Sequence, residues 1–172
     1  MGCYAVVGLG NMLQGDEGLG HAVVETLRAS GQVAAARLID GGTIGLGLLP
    51  YVDDLDGLIV VDTVDAARAA GSLIDLDGQS LTRDGPLMGV HDLGAGELLR
   101  ALLLLDRVPR RVRIVGAQPE RIGLGTDLSP VVAAAVGPIC DRTRRWLRRW
   151  EREDVAAAGF DVAATGFEVA RT

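Results

Sequence analysis

Near its beginning the chain reads Ala5-Val6-Val7-Gly8-Leu9-Gly10-Asn11-Met12-Leu13-Gln14-Gly15-Asp16-Glu17-Gly18-Leu19-Gly20. An apolar run ends at Val7, and a loop with five glycines follows it. After the loop, residues 20–29 carry apolar side chains at helical spacing, which predicts an amphipathic helix. A strand, a tight loop and a helix in this order are the usual opening of an α/β domain.

The glycine-rich loop lacks the residues that bind a phosphate. A dinucleotide fingerprint needs a third glycine at position 13, where this chain has Leu13. A P-loop needs Lys followed by Ser or Thr after its second glycine, but Asp16 and Glu17 follow Gly15. Two carboxylates repel a phosphate and attract a cation. We therefore interpret the glycines as allowing the backbone to turn tightly around two acidic side chains.

The composition is that of one compact domain with an aliphatic core. The chain has 172 residues, of which 48% are hydrophobic and only 3% are aromatic. Such a composition is common in α/β proteins with parallel sheets. We expect a single domain over residues 1–153, followed by a flexible tail over residues 154–172, where the sequence is rich in alanine and weakly patterned.

Charge and residue usage exclude several classes of function. A formal net charge of −6 argues against a nucleic-acid partner, and the absence of lysine excludes Schiff-base chemistry. The sequence shows no apolar run of membrane-spanning length and no signal peptide. The two cysteines, Cys3 and Cys140, fit a reducing compartment, and we expect both to be small buried residues. The expected location is the cytoplasm, with no membrane partner.

The apolar pattern predicts the element order β-α-β-α-β-β-α-β-α. Strands are predicted at residues 3–8, 37–40, 58–62, 72–77 and 111–116, and helices at residues 20–29, 46–52, 92–105 and 130–153. The third strand is continuously apolar and ends on Asp62, as a buried central strand does. The fourth strand alternates apolar and polar residues, and a short link precedes it. These features predict an antiparallel edge strand in a mixed sheet.

Acidic residues follow the first three strands, at the edge where open α/β sheets bind their ligands. The candidate site residues at this edge are Asp16, Glu17, Asp40, Asp62 and His91. Two carboxylates and an imidazole are suitable ligands for a borderline divalent metal. The positions of three of these residues also have explanations that involve no metal. Asp62 can cap a loop, Glu17 can favour a helix dipole, and His91 can be a surface residue.

The pattern contains no serine or cysteine hydrolase motif. A Gly-x-Ser-x-Gly elbow is absent, and neither cysteine has the sequence context of a known nucleophile. His21, the only other histidine, falls within the first predicted helix, and we expect it at the surface.

Several ordered blocks of the sequence resemble those of the hydrogenase maturation proteases. The blocks are Gly8-x-Gly10-Asn11-x3-Gly15-Asp16-Glu17-Gly18-x-Gly20, Asp40-Gly41-Gly42-Thr43, Leu58-Ile59-Val60-Val61-Asp62, His91-Asp92-Leu93-Gly94, Gly116-Ala117-Gln118-Pro119-Glu120 and Leu128-Ser129-Pro130. They cover roughly residues 4–150. Residues 7–11 also resemble peptidyl-tRNA hydrolase, but the chain lacks that family's Thr-Arg-His-Asn segment and its basic face.

The resemblance to the maturation proteases implies a three-layer α/β/α fold with a twisted, mostly parallel, mixed five-stranded sheet. It implies an endopeptidase, aspartic-type by family classification, that removes the C-terminal extension of a nickel–iron hydrogenase large-subunit precursor after nickel insertion. Glu17, Asp62 and His91 would be the catalytic and metal-contacting residues, and Asp16 and Asp40 would handle substrate. We expect no cofactor of its own, because the precursor carries the nickel. The alternative is a non-catalytic chaperone that senses nickel.

Overall fold

The structure is a computed structural model that describes residues 2–33, 36–79 and 94–165. Its strands are β1 (Tyr4–Leu9), β2 (Ala36–Gly42), β3 (Gly57–Thr63), β4 (Leu73–Asp77) and β5 (Arg111–Ala117). Its helices are α1 (Leu19–Ser30), α2 (Gly94–Leu104) and α3 (Pro130–Thr165), and two 3-10 segments span Asp16–Gly18 and Gly45–Tyr51. The order of these elements is the predicted one, and every strand boundary lies within two residues of its prediction.

The five strands form one mixed sheet in the order β2-β1-β3-β5-β4. β1 pairs in parallel with both β2 and β3, and β3 pairs in parallel with β5. β4 lies at the edge and runs antiparallel to β5, which confirms the predicted edge strand. β1 and β3 are buried along their whole length, because other elements cover both of their faces.

Helices on both sides of the sheet produce the predicted three layers. On one side, which we call the α2 face, α2 and the second 3-10 segment pack on Val7 and Val60. On the other side, which we call the α1 face, α1 and α3 pack on Val6 and Val61. Neighbouring residues of a strand therefore belong to different faces, as the pleat requires.

Glycines of the opening loop let α1 pack directly against β1. A Cβ at Gly8 would collide with the carbonyl oxygen of Gly20, and a Cβ at Gly20 would collide with that of Leu9. Gly10 has a φ angle of +113°, and a side chain there would collide with the carbonyl oxygen of Glu17. These close approaches fix the position of the 3-10 segment Asp16–Gly18, which we call the acidic turn, beyond the end of β1.

The last helix is longer than predicted. α3 continues to Thr165, so the prediction that it ends near residue 153 is wrong. The carboxylate of Asp154 accepts a hydrogen bond from the hydroxyl of Tyr4 (2.5 Å) and pairs with Arg111 (2.7 Å). These contacts hold the helix against the beginnings of β1 and β5, so Asp154 belongs to the folded body. Residues 166–172 lie outside the described residues.

The predictions for the two cysteines, for the start of the third helix and for membrane-spanning segments have different outcomes. Both cysteines are free, and Cys140 is buried as expected, but Cys3 is exposed. The predicted start of the third helix at Asp92 lies outside the described residues. Within the described ranges, no helix has the length and apolar character needed to cross a membrane.

Candidate active site

A pocket of about 260 Å³ lies at the carboxyl ends of β1 and β3, on the α2 face. Its walls come from these strand ends, the acidic turn, the second 3-10 segment and the first turn of α2. Its polar lining residues are Asn11, Glu17, Thr43, Asp62, Thr63 and Glu97. The described lining residues include no serine and no cysteine. Parallel strands bring their carboxyl ends to one edge, and the pocket lies where the sequence predicted a site.

Asp62 ends β3 inside this pocket and is only 4% exposed. Its side chain faces α2 because it shares the strand alternation of Leu58 and Val60. Its carboxylate accepts hydrogen bonds from the backbone N–H groups of Thr63 (2.8 Å) and Ala95 (3.3 Å). Ala95 lies in the first turn of α2, where the helix dipole favours a negative group.

The pKa of Asp62 is raised to about 7. Burial is the main cause, because it disfavours the charged form, and the negative charge of Glu17 adds to the rise. The two backbone hydrogen bonds lower the pKa but do not cancel these effects. Asp62 is therefore a carboxyl group that a nearby cation would stabilise in its charged form.

Glu17 lies in the acidic turn (Asp16–Gly18) and lines the same pocket half-buried. The structure thus brings Glu17 and Asp62 together, as their positions after neighbouring parallel strands predicted. His91 lies outside the described residues. The roles of all three residues in catalysis and metal contact stay a prediction.

Asp16 is not among the residues that line the pocket, and its role in substrate handling stays a prediction. Its buried carboxylate accepts hydrogen bonds from the backbone N–H groups of Glu120 (2.9 Å), Arg121 (2.9 Å) and Ser129 (2.6 Å) and from the Ser129 hydroxyl (3.0 Å). Burial alone would raise the pKa of Asp16, but these hydrogen bonds outweigh it and hold the pKa below its ordinary value. Asp16 therefore fastens the loop between β5 and α3 to the acidic turn.

Asp40 also lies outside the pocket, because its side chain points to the opposite face of the sheet. Its neighbour Ile39 packs on the α2 face, so the strand alternation turns Asp40 towards α1. There its carboxylate oxygen lies 2.7 Å from Nδ1 of His21. The predicted place of Asp40 among the pocket residues is therefore wrong, and its role in substrate handling stays a prediction.

His21 and Asp40 belong to a group that also contains Glu25. One potential ligand atom from each residue lies within 4.8 Å of the others, a spacing that can hold a metal ion. Ordinary contacts account for this arrangement, since His21 is hydrogen-bonded to Asp40 and Glu25 is paired with Arg28. We therefore interpret the group as a surface cluster of polar side chains.

Glu97 is a pocket residue that the sequence analysis missed. It lies in the first turn of α2 and extends towards the second 3-10 segment, where a Cβ at Gly45 would lie 3.9 Å from its Oε2. The sequence feature that could have predicted Glu97 is a carboxylate at the start of a helix, where that helix begins at the carboxyl ends of the strands. Three carboxylates therefore line the pocket, and no basic side chain is among its described lining residues. This charge distribution favours a cation.

Comparisons with known proteins agree on one family. A family model described as hydrogenase maturation protease matches residues 21–145, which is most of the chain but begins after the acidic turn. The hydrogenase expression/formation protein HupD of Rhodobacter capsulatus is 34% identical over 157 residues, covering 89% of this chain and 75% of the relative.

Two further matches come from Escherichia coli. The hydrogenase 2 maturation protease of strain K12 is 30% identical over 146 residues, covering 83% of this chain and 89% of the relative. The solved structure of the hydrogenase maturating endopeptidase HybD superposes with a TM-score of 0.72 at 29% identity. That match covers 86% of this chain and 93% of the solved one.

Proposed function

We propose, because this chain belongs to the hydrogenase maturation protease family, that it removes the C-terminal extension of a nickel–iron hydrogenase large-subunit precursor. Cleavage follows nickel insertion, and the nickel already bound to the precursor is the recognition element. Glu17, Asp62 and His91 contact that nickel during cleavage. The protein needs no metal or cofactor of its own.

The observation that carries this proposal is a pocket with three carboxyl groups and no basic side chain among its described lining residues. Asp62 is buried beside Glu17, and its pKa is raised to about 7 because burial and the charge of Glu17 disfavour the charged form more than its two backbone hydrogen bonds favour it. Glu97 adds a third carboxylate. A nickel ion delivered by the precursor supplies the missing positive charge, so a precursor without nickel docks poorly. Cleavage is thereby coupled to metal occupancy.

The reaction is hydrolysis of one peptide bond. A water oxygen bonds to the carbonyl carbon and the water gives up a proton, the C–N bond breaks, and the released amine takes up one proton in exchange. The nickel carried by the substrate can stabilise the negative charge that develops at the scissile carbonyl. Glu17 and Asp62 position that nickel, which accounts for a protease site without a serine or cysteine nucleophile.

The partner we propose is therefore the hydrogenase precursor, with no nucleic acid and no membrane. We propose the cytoplasm as the location, and the free thiols of Cys3 and Cys140 support a reducing compartment. We propose the aspartic type by family classification, with Asp62 among the catalytic residues.

The test is cleavage of the purified cognate precursor, prepared with and without nickel. The wild type is compared with Asp62→Ala and with Asp141→Ala, a matched control whose side chain is 73% exposed on α3. Mass spectrometry reports the loss of the C-terminal extension. We expect the wild type and Asp141→Ala to cleave the nickel-loaded precursor, and Asp62→Ala to be slower by about 100-fold or more.

Two outcomes contradict parts of this proposal. A nickel-free precursor that is cleaved as fast as the loaded one removes nickel as the recognition element. Nickel-dependent binding without cleavage by the wild type identifies a sensor or chaperone instead of a protease.

A further inference from the structure

The loop between β5 and α3 presents large apolar side chains to solvent, and it is hydrogen-bonded to the opening loop. Ile122 is 54% exposed and Leu124 is fully exposed. Met12 and Leu13, in the opening loop, are also about half exposed. We call these four residues, Met12, Leu13, Ile122 and Leu124, the apolar wall. An aliphatic side chain left fully in solvent forgoes the free energy of burial, so a group of them marks a contact surface.

Hydrogen bonds brace the two loops that form the apolar wall. The backbone N–H of Gly15 donates to the carbonyl of Gly125 (2.8 Å), and the N–H of Gly125 donates to the carbonyl of Leu13 (3.0 Å). The buried carboxylate of Asp16 binds the backbone at Arg121 and at two further positions of the loop. Because the loops are fastened in this way, they do not fold inward to bury Ile122 and Leu124.

The apolar wall does not line the pocket itself, but its residues are joined to pocket residues through the backbone. Asn11 lines the pocket and directly precedes Met12, and Asp16, which holds the loop, directly precedes Glu17. On the second 3-10 segment, Ile44 and Leu46 are likewise exposed on either side of the pocket residue Gly45. A polypeptide that brings a peptide bond to the carboxylates must therefore pass close to this wall.

We propose that the apolar wall binds an apolar segment of the hydrogenase precursor and determines which precursor this enzyme accepts. The inference rests on the proposed function, because it names a substrate contact of the same site. The precursor is the occupant, because backbone hydrogen bonds at Gly15 and Asp16 hold the loop that carries Ile122 and Leu124 next to Glu17, where the precursor's nickel would bind. The wall contributes to substrate binding, whereas the carboxylates contribute to cleavage.

The experiment compares steady-state cleavage of the nickel-loaded precursor by Ile122→Ser, Leu124→Ser and the double variant. The matched controls are Leu104→Ser, at the far end of α2 and 86% exposed, and Val155→Ser, on α3 and 72% exposed. All five variants remove an exposed apolar side chain, so the folded state is retained, and a thermal melt checks this.

We expect KM to rise about tenfold for each wall substitution, and further for the double variant, because each buries less apolar surface with the precursor. The kcat of these variants should stay within about twofold of wild type, since the carboxylates are intact. The control variants should keep the wild-type KM.

An unchanged KM in the double wall variant overturns the inference, and so does an equal rise in the controls. Both results leave the proposed function intact, because the wild type still cleaves. If the wild type binds the precursor without cleaving it, the same variants are compared by dissociation constant, with the same expected ratios. If the wild type neither binds nor cleaves the cognate precursor, both proposals are wrong.

Discussion

The carboxyl group of Asp62 lies in surroundings that oppose its ionisation. Its pKa is raised to about 7 by burial and by the negative charge of Glu17, although two backbone N–H groups favour the charged form. A protein gains no stability from such an arrangement, because the charged carboxylate is costly in the folded state. Functional sites commonly carry this kind of cost, and a cation from the substrate would relieve it.

The raised pKa of Asp62 predicts a pH-dependent loss of stability in the free protein. The folded state holds the Asp62 proton up to about pH 7, whereas the unfolded chain releases it near its ordinary value of about 4. The contribution of the protonated Asp62 side chain to the free energy of unfolding is therefore complete below about pH 4, and it falls as the pH rises towards 7. Since each pKa unit corresponds to about 1.4 kcal/mol, the fall amounts to about 4 kcal/mol.

Urea unfolding of the wild type and Asp62→Asn between pH 4 and 8 measures this effect. The free energy of unfolding of Asp62→Asn, relative to wild type, should increase across this range. In Glu17→Gln the free energy of unfolding should also fall as the pH rises, but the midpoint of this fall should lie at a lower pH than in the wild type. The reason is that the negative charge of Glu17, one cause of the raised pKa of Asp62, has been removed. A difference between wild type and Asp62→Asn that does not change with pH would contradict the assignment.

At the scale of elements, the carboxylate of Asp16 joins three segments. It belongs to the acidic turn, and it binds the backbone at Glu120, at Arg121 and at Ser129, the residue just before α3. These partners are 104 to 113 residues away in the chain. The loop that carries the apolar wall and the turn that carries Glu17 are therefore held in one arrangement by a single side chain.

We predict that Asp16→Asn lowers the free energy of unfolding by about 2–4 kcal/mol. The amide retains one acceptor oxygen but turns its NH2 group towards backbone donors, and buried N–H groups without an acceptor are costly. Chemical denaturation measures the change. Asp127→Asn, exposed in the same loop, should have almost no effect. Equal stability of Asp16→Asn and wild type would show that the hydrogen bonds around this carboxylate contribute little.

At the scale of the whole molecule, α3 spans the sheet and contacts the first part of the chain near its own beginning and again at Asp154. It begins beside the loop that Asp16 fastens, and it reaches the start of β1 through Asp154 and Tyr4. Burial first, and then the Asp154 carboxylate, raises the pKa of Tyr4 to about 12. The positive charge of Arg111 opposes this rise.

We predict that Asp154→Ala lowers the pKa of Tyr4 while leaving it above 10, because the phenol stays buried but loses its anionic partner. Ultraviolet titration of tyrosinate, in a Tyr51→Phe background that leaves Tyr4 as the only tyrosine, measures this value. Glu153→Ala is the control, since Glu153 pairs with Arg111 but makes no hydrogen bond to Tyr4. A pKa of Tyr4 that is the same in Asp154→Ala and wild type would mean that this contact does not form in solution.

Local sequence patterns were sufficient to predict the secondary-structure elements and the sheet edge where the pocket lies. Continuous apolar runs predicted the buried strands, and the glycines of the opening loop predicted the tight turn into α1. Glu17 and Asp62 could be placed together because parallel strands end at one edge of a sheet. These inferences depend on local patterns and on one general property of α/β folds, so no long-range contact had to be known.

Which acidic side chains enter the pocket depends on long-range packing, which the sequence patterns do not contain. Asp40 lies near the end of its strand, as Asp62 does, but its side chain points to the α1 face because its place in the strand alternation is the opposite one. Asp16 is buried by residues more than 100 positions away in the chain. The last helix continues past residue 153, where Asp154 contacts Tyr4 of the first strand. Glu97 enters the pocket because α2 begins beside β3. The direction and burial of a side chain depend on contacts between distant segments, and a local pattern does not contain them.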